Sequence, residues 1–193
     1  MPGQRSGWMR SLVACAAVLV VLASPWLGAV AADEQDARRV TVGINVFPAV
    51  LAADRDIEAK RSASGELTLL IVHRDDAALA DRLAEVLKDK GAVRGAPIRV
   101  EVLTVDALGT RGPDGVAGVF IAQRLGDRVP SVAIYCNQKR VLCFSPFEGD
   151  VERGIAAGIA VSDRVLPYVN VTALGQAGLR IKPFFMRIAE RYE

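Results

Sequence analysis

Residues 67–91 read LTLLIVHRDDAALADRLAEVLKDKG and combine the two patterns on which the fold assignment rests. Residues 67–72 are almost entirely apolar, as in a parallel strand that is covered on both faces. Asp75 or Asp76 can then cap a helix whose apolar side chains recur at helical spacing, and Gly91 can end it. The segment therefore predicts a strand followed by an amphipathic helix, with the apolar face of the helix formed by Leu79, Leu83, Val86 and Leu87.

The same alternation continues downstream. Residues 98–105, 116–122 and 141–145 have the composition of short strands, and residues 129–140 should be mostly helical. Each step from one strand to the next passes through a helix or a long connection. This arrangement is typical of right-handed βαβ crossovers, which place successive strands parallel in one sheet.

The last third of the chain has a different pattern. Residues 155–161 and 164–169 are two short apolar runs that predict an antiparallel hairpin. Asn170 can cap a helix that stops at Gly178, and Pro183 suits the first turn of a final helix. The inner face of that final helix is predicted to consist of Phe184, Phe185, Ile188 and Tyr192.

Residues 38–54 fit two structures. Val40, Val42, Ile44 and Val46 alternate as in a strand, whereas Val40, Ile44, Phe47 and Leu51 share one helical face. In either case we expect an α/β fold: a single-domain three-layer sandwich with a mostly parallel sheet, flanking helices and a C-terminal antiparallel hairpin.

The first 31 residues resemble a secretion signal. Arg5 and Arg10 precede an unbroken apolar run over residues 12–23, and an A-x-A sequence ends at Ala31. The alternative is a membrane anchor, but the run is shorter than the roughly 20 residues that a span needs. We therefore predict export to the periplasm, cleavage near Ala31 and a mature domain of residues 32–193.

Charge and cysteine content follow from that prediction. Removing residues 1–31 takes away two of the 24 basic residues and none of the 22 acidic ones, so the mature chain is neutral and gives no reason to expect nucleic acid as a partner. Cys136 and Cys143 would remain in an oxidising compartment. They can form a disulfide if one ends a helix and the other opens the next strand, and otherwise they are two small buried residues.

The sequence offers few groups for chemistry. One His and three Cys argue against a metal or haem site with several ligands, and the motifs of serine hydrolases, phosphate-binding loops and dinucleotide-binding folds are missing. We therefore predict a protein without a cofactor that is not an enzyme. His73, Ala122 and Ser145 follow or end buried strands, where open α/β sheets place ligands, so a small-ligand crevice there is the alternative function.

Residues 144–154, FSPFEGDVERG, leave a buried strand at its carboxyl end. Glu148, Asp150 and Glu152 could together attract a hard cation, although an EF-hand would need more ligands. A rigid surface loop that displays Phe147 and these acidic groups to a partner is the preferred interpretation over a metal site. A purely structural connection with no binding role is the remaining alternative, and it is favoured over both.

Three C-terminal segments, 154–159 (GIAAGI), 165–170 (VLPYVN) and 177–189 (AGLRIKPFFMRIA), resemble the end of YfiR-like periplasmic proteins. The resemblance implies a flavodoxin-like sandwich whose first mature segment is a helix. It also implies a disulfide with the spacing of Cys136 and Cys143. The family's aromatic Trp-Pro near the first helix is missing here.

Characterised YfiR-like proteins inhibit an inner-membrane diguanylate cyclase from the periplasm and thereby control cyclic di-GMP. The leading hypothesis is accordingly a non-enzymatic binding protein that contacts the periplasmic part of an inner-membrane signalling protein. Recognition would use an apolar surface with polar edges, and a homodimer is an open alternative for assembly.

Overall fold

A computed structural model describes residues 24–112 and 114–193, with side chains from residue 33 onward. Packing divides the chain into two units, residues 1–38 and residues 39–193. The described part of the first unit is helical, and Glu34 and Arg38 form an ion pair one turn apart on its surface. Residues 1–23 of the predicted signal peptide lie outside the described residues, so export and cleavage stay predictions. Among the described helices, none combines the length and apolar character needed to cross a bilayer.

Helices and strands alternate along the described part of the chain, as predicted. The helices are α1 (Ser24–Ala53), α2 (Ala77–Lys90), α3 (Val105–Leu108), α4 (Val129–Lys139), α5 (Val171–Gln176) and α6 (Pro183–Ile188). The strands are β1 (Leu67–His73), β2 (Ala92–Val93), β3 (Ala96–Thr104), β4 (Val116–Ile121), β5 (Leu142–Ser145), β6 (Ala157–Val161), β7 (Val165–Asn170) and β8 (Glu190–Tyr192).

All eight strands form one sheet in the order β2-β3-β1-β4-β5-β6-β7-β8. The five strands from β3 to β6 in this order are parallel, whereas β6 and β7 form the antiparallel hairpin. Counted along the chain, the five parallel strands have the order 2-1-3-4-5, which is the winding of flavodoxin-like folds. The predicted α/β class, with a mostly parallel sheet, flanking helices and a C-terminal hairpin, is confirmed.

The segment from β1 to α2 folds as its sequence predicts. Every residue of β1 is buried. The Asp76 carboxylate caps α2 by accepting a hydrogen bond of 2.8 Å from the Leu79 N–H, and Gly91 ends the helix with φ = 72°. Val86 differs from the prediction, since it is 37% exposed. The inner face of α2 instead comprises Ala80, Leu83, Ala84 and Leu87.

Residues 40–51 are helical, and they lie in α1. The Phe47 ring is fully buried against the rings of Phe120 and Phe144, at centroid distances of 5.5 and 5.6 Å. A Cβ on Gly118 would lie 2.5 Å from Leu51 Cδ2, so the helix approaches β4 as closely as a residue without a side chain permits. The helical alternative is therefore correct, because the sheet offers a surface that matches the helical face.

Helices cover both faces of the sheet. Phe144 of β5 faces α1, and side chains alternate along a strand, so the neighbouring Cys143 faces the other side. There Cys143 meets Cys136 of α4. On the α1 side, Lys90 at the end of α2 donates a hydrogen bond to the Asn45 side chain of α1. The sheet thus lies between α1 and α2 on one face and α4 on the other.

The C-terminus differs from the predicted helix. α6 ends at Ile188, and the next residues form β8, which pairs in parallel with β7. Only Phe185 of the predicted inner face is buried, whereas Phe184, Ile188 and Tyr192 are 66%, 46% and 38% exposed. The predicted inner face is therefore wrong, because β7 presents a free edge whose backbone groups residues 190–192 satisfy as a strand.

We expect Gly118→Ala to lower the free energy of unfolding by about 1 to 3 kcal/mol, because the added methyl would overlap Leu51 and Phe47, which are fully buried and cannot move aside. Chemical denaturation measures the change. Gly175→Ala in α5 is the matched control: its Cβ would meet nothing within 4 Å, so this variant should be as stable as the parent or more stable. Equal stability of Gly118→Ala and the parent protein would contradict the close packing of α1.

Candidate functional site

The three residues of the predicted crevice lie at the carboxyl ends of three neighbouring strands. His73 ends β1, Ala122 follows β4 and Ser145 ends β5, and these strands are neighbours in the sheet. All three residues are buried, with exposed fractions of 7%, 0% and 0%. The Nδ1 atom of His73 is buried without a hydrogen-bond partner among the described residues. The crevice residues are thus brought together beneath the surface of the protein.

Gln123 occupies the position where a flavodoxin-like fold would bind an anion. Its Oε1 accepts hydrogen bonds from three successive backbone N–H groups, those of Arg74, Asp75 and Asp76, at 2.9, 3.1 and 2.9 Å. Its Nε2 donates to the Asp75 carboxylate at 2.6 Å. Three converging amide donors at a helix start suit an anion, and here the chain's own amide oxygen fills that place.

The polar groups after β1 are therefore used internally. The hydrogen bond from Gln123, and after it the one from Arg74, hold the pKa of Asp75 below its usual range. Asp76 caps α2, and neither carboxylate is bonded to His73. Gln123 is the residue that sequence reasoning missed. The only signal for it was its place directly after a buried strand at the point where the strand order reverses.

The loop after β5 turns inward. Phe147 is 3% exposed, with the guanidinium of Arg124 5.3 Å above its ring, and Asp150 is 5% exposed. Glu148 and Glu152 are exposed, but Glu152 accepts a hydrogen bond of 3.0 Å from the Tyr168 hydroxyl. The expectation that this loop displays Phe147 and Asp150 is wrong, since both side chains contribute to the interior. A partner contact through Glu148 and Glu152 stays a prediction.

Buried hydrogen bonds explain why the loop turns inward. The Ser145 hydroxyl donates to Asp150 Oδ2 at 2.6 Å and accepts from the Phe147 N–H at 3.2 Å. From α1, buried Arg39 donates to the carbonyl oxygen of Pro146 at 2.6 Å and to that of Ile159 at 3.0 Å. The two contacts of Arg39 join residues more than 100 positions apart in sequence, so no local pattern could reveal them.

Two ionisable groups near this loop, Asp150 and Tyr168, have a raised pKa, and burial is the main cause for both. Desolvation raises the pKa of Asp150, although the Ser145 hydroxyl and Arg153 favour its charged form. Burial and the adjacent Glu152 carboxylate raise the pKa of Tyr168 to about 12. The three acidic side chains of the loop therefore have different environments.

Within residues 24–112 and 114–193, no group of three or more His, Cys, Asp or Glu side chains could hold a metal ion.

The two cysteines of the predicted disulfide are adjacent. Cys136 lies near the end of α4 and Cys143 in β5, their sulfur atoms are joined, and their Cα atoms are 6.1 Å apart, within the usual range for disulfides. Both are buried. The helix–strand arrangement proposed for this pair is the one observed.

One surface was not predicted. Six of the eight large hydrophobic side chains exposed in the described part of the chain lie between residues 161 and 192. They belong to the β6–β7 hairpin, the start of α5, α6 and β8, which are neighbouring elements of the last third of the chain. Val161 and Val165 lie at the turn of the hairpin, whereas Val171 and Tyr192 lie at the other end of β7. We call these residues the C-terminal apolar surface: Val161, Val165, Val171, Phe184, Ile188 and Tyr192. Three of them, Phe184, Ile188 and Tyr192, are residues of the predicted inner face of the final helix, and they face water instead.

Comparisons with known proteins bear on the fold alone. Neither protein-family models nor curated proteins match this chain. Among solved structures, it is similar to a conserved domain protein from Vibrio cholerae O1 biovar El Tor strain N16961, with a TM-score of 0.51 and 16% sequence identity. The similarity covers 70% of this chain and 57% of that one, so the chain spans little more than half of that protein's length. At this identity the likeness supports the α/β fold and nothing finer.

We expect Asp150→Asn to change the pH dependence of stability. Because the folded pKa of Asp150 is raised, the folded state binds more protons than the unfolded state above the ordinary value of 3.8, and Asp150 contributes more stability as the pH falls. An asparagine keeps the acceptor for Ser145 and does not titrate. The unfolding free energy of the parent, measured relative to Asp150→Asn, should thus rise from neutral pH towards pH 4. Glu148→Gln, at an exposed site in the same loop, should not reproduce this trend, and a parent that loses stability relative to Asp150→Asn would contradict it.

Replacing both Cys136 and Cys143 by Ser should lower the free energy of unfolding by about 2 to 3 kcal/mol, because the unfolded chain then regains the freedom of a short closed loop. Thermal or denaturant unfolding with and without a reducing agent measures this. The reducing agent should destabilise the parent to the level of the double variant and leave that variant unchanged. A parent whose stability and mass after alkylation do not respond to reduction under unfolding conditions would contradict the disulfide.

Proposed function

We propose that this chain is an exported, non-enzymatic binding protein that regulates an inner-membrane signalling protein by contact in the periplasm. The observation that supports this best is the C-terminal apolar surface. Large apolar side chains exposed on neighbouring elements are typical of protein interaction sites, since their burial by a partner is favourable. The partner class, a diguanylate cyclase of the kind that YfiR-like proteins inhibit, comes from the sequence resemblance.

The α6 helix provides the centre of the proposed contact. Phe184 and Ile188 are separated by one helical turn, so they lie on one face, and they are 66% and 46% exposed. The Arg187 guanidinium lies 5.8 Å from the centre of the Phe184 ring. An aromatic ring next to an arginine is a frequent combination at the energetic centre of interfaces.

The proposed surface has a fixed position on the domain. The segment before α6 is joined to the end of α1 by backbone hydrogen bonds, from the Lys182 N–H to the Ala53 carbonyl at 2.9 Å and from the Arg55 N–H to the Arg180 carbonyl at 2.8 Å. Arg180 also pairs with the Asp56 carboxylate. A surface held in this way loses little conformational entropy when it binds.

Side-chain contact explains recognition better than strand addition does. β8 is the last strand of the sheet, but it has only three residues, and two of them are Glu190 and Arg191. Short, charged edge strands discourage the pairing of another strand. The exposed Arg187 and Arg191 beside the apolar groups favour a partner whose apolar patch has acidic groups at its border.

Crosslinking in intact cells tests the proposal. The parent protein should crosslink to an inner-membrane protein from the periplasmic side, and Phe184→Ala with Ile188→Ala should weaken that association by about tenfold or more, because such truncations at an interface centre cost over 1 kcal/mol each. Ile134→Ala is the matched control, since Ile134 is 56% exposed on α4 and lies outside the C-terminal apolar surface.

Two results would contradict the proposal. One is the absence of any crosslinked membrane protein together with unchanged cyclic di-GMP in a deletion strain. The other is equal loss of association in the Ile134→Ala control and in the α6 variants. Circular dichroism of each variant establishes that a loss of association does not reflect unfolding.

A further inference from the structure

We infer that a basic cleft at the amino ends of β1, β4 and β5 binds a small soluble molecule that carries two or more negative charges. The cleft has a volume of about 560 Å³ and is lined by residues 59–63, 114–116 and 139–140. These residues precede the amino ends of three neighbouring strands, so the cleft and the buried crevice lie at opposite ends of these strands. The volume is within the range of small-molecule sites.

Basic residues outnumber acidic residues in the lining of the cleft. Four cationic side chains line the cleft, and Asp114 is the only acidic residue among the lining residues. They are Lys60, Arg61, Lys139 and Arg140. Lys60 pairs with the buried Asp54, and Arg61 pairs with Glu58. The described residues supply no hydrogen-bond or ion-pair partner for the side chains of Lys139 and Arg140.

The backbone conformation of Arg140 is a second, independent observation. Arg140 has φ = 55° and ψ = 40°, in the left-handed region, where its N–H closes the end of α4 by bonding to the carbonyls of Asn137 and Cys136. Glycine is the usual residue at such a helix end, because a side chain makes this conformation costly. A binding role of the guanidinium would offset this backbone cost, and replacement by glycine would remove both the cost and the charge.

The walls of the cleft are held in place. The disulfide between Cys136 and Cys143 closes the turn that carries Lys139 and Arg140. On the opposite wall, Gly115 has φ = 69°, and a Cβ at this residue would lie 2.9 Å from the Cβ of Ser62. The loop of residues 59–63 and the loop of residues 114–116 are therefore in close contact, so the backbone of the cleft is in place before a ligand arrives, which reduces the entropic cost of binding.

The chemistry of the unpartnered groups defines the ligand class. A guanidinium presents paired N–H donors that match the oxygens of a phosphate or carboxylate, and an ammonium adds a mobile point charge. Together, Arg140 and Lys139 suit a phosphorylated or polycarboxylated small molecule. The site uses residues different from those of the C-terminal apolar surface, so it can fail while the proposed function holds.

Calorimetric titration of the full chain with inorganic pyrophosphate and with citrate, at constant ionic strength, tests the inference. At least one of these probes should bind saturably with one site per chain. Arg140→Gly should weaken that binding at least tenfold while the fold stays as stable or becomes more stable, because glycine relieves the left-handed backbone. Lys139→Ala should also lower the affinity for that probe.

Arg94→Gly is the matched control. Arg94 is also an arginine in the left-handed region, with φ = 49°, and it is not part of the cleft lining. Arg94 lies 4.0 Å from Glu58, which also pairs with Arg61, so the Arg61 pair stays intact in this variant. The variant changes the net charge and the backbone strain as Arg140→Gly does but removes no cation of the lining, so its affinity for the probe should be that of the parent. Equal weakening by both variants would show a general effect of net charge and would overturn the inference.

Two further outcomes would overturn it as well. One is the absence of saturable binding of either probe at millimolar concentration. The other is Arg140-dependent binding to phosphatidylglycerol vesicles with no binding of pyrophosphate or citrate, which would assign the cleft to a membrane surface.

Discussion

The close approach of α1 to the sheet is the constraint on which the rest of the structure depends. Gly118 leaves room on β4 for Leu51 and Phe47, and Gly43 lets the helix pass next to Pro146 and Phe144. Phe47 then completes a cluster of three rings with Phe120 and Phe144. Without this contact, the parallel strands β4 and β5 would expose one face to water, which parallel sheets almost never do.

The position of α1 also affects the carboxyl ends of the strands. Arg39 of the same helix satisfies carbonyl groups after β5 and in β6, and the loop that follows β5 turns its aromatic ring inward beside it. On the neighbouring strands, Gln123 satisfies the amide groups that a ligand would need. The edge that binds ligands in many open α/β sheets is thus occupied by the protein's own groups. This arrangement favours a function that uses surfaces elsewhere on the domain.

Two other regions of the domain have side chains that a partner or ligand could contact: the C-terminal apolar surface and the basic cleft. In the C-terminal apolar surface, Phe184 and Ile188 are exposed on α6, and the chain then continues as β8, on which Tyr192 is exposed. In the basic cleft, the side chains of Lys139 and Arg140 have no hydrogen-bond or ion-pair partner among the described residues. A contact surface and an anion site on one small domain would allow a soluble ligand to influence a protein interaction, since binding at two sites can be coupled.

Local sequence patterns were sufficient for much of this fold. Apolar runs, helix caps at Asp76 and Asn170, the stop at Gly91 and the hairpin after residue 155 all depend on neighbours within a few positions, and each is present as expected. The exposure of Phe184, the burial of Phe147 and the role of Gln123 were not accessible in that way. Each depends on groups between about 20 and 120 positions away, such as the edge of β7, the side chain of Arg39 and the amides after β1. Periodicity shows that a side chain is apolar and which neighbours share its face, but whether that face meets water or protein is set only when distant segments pack together.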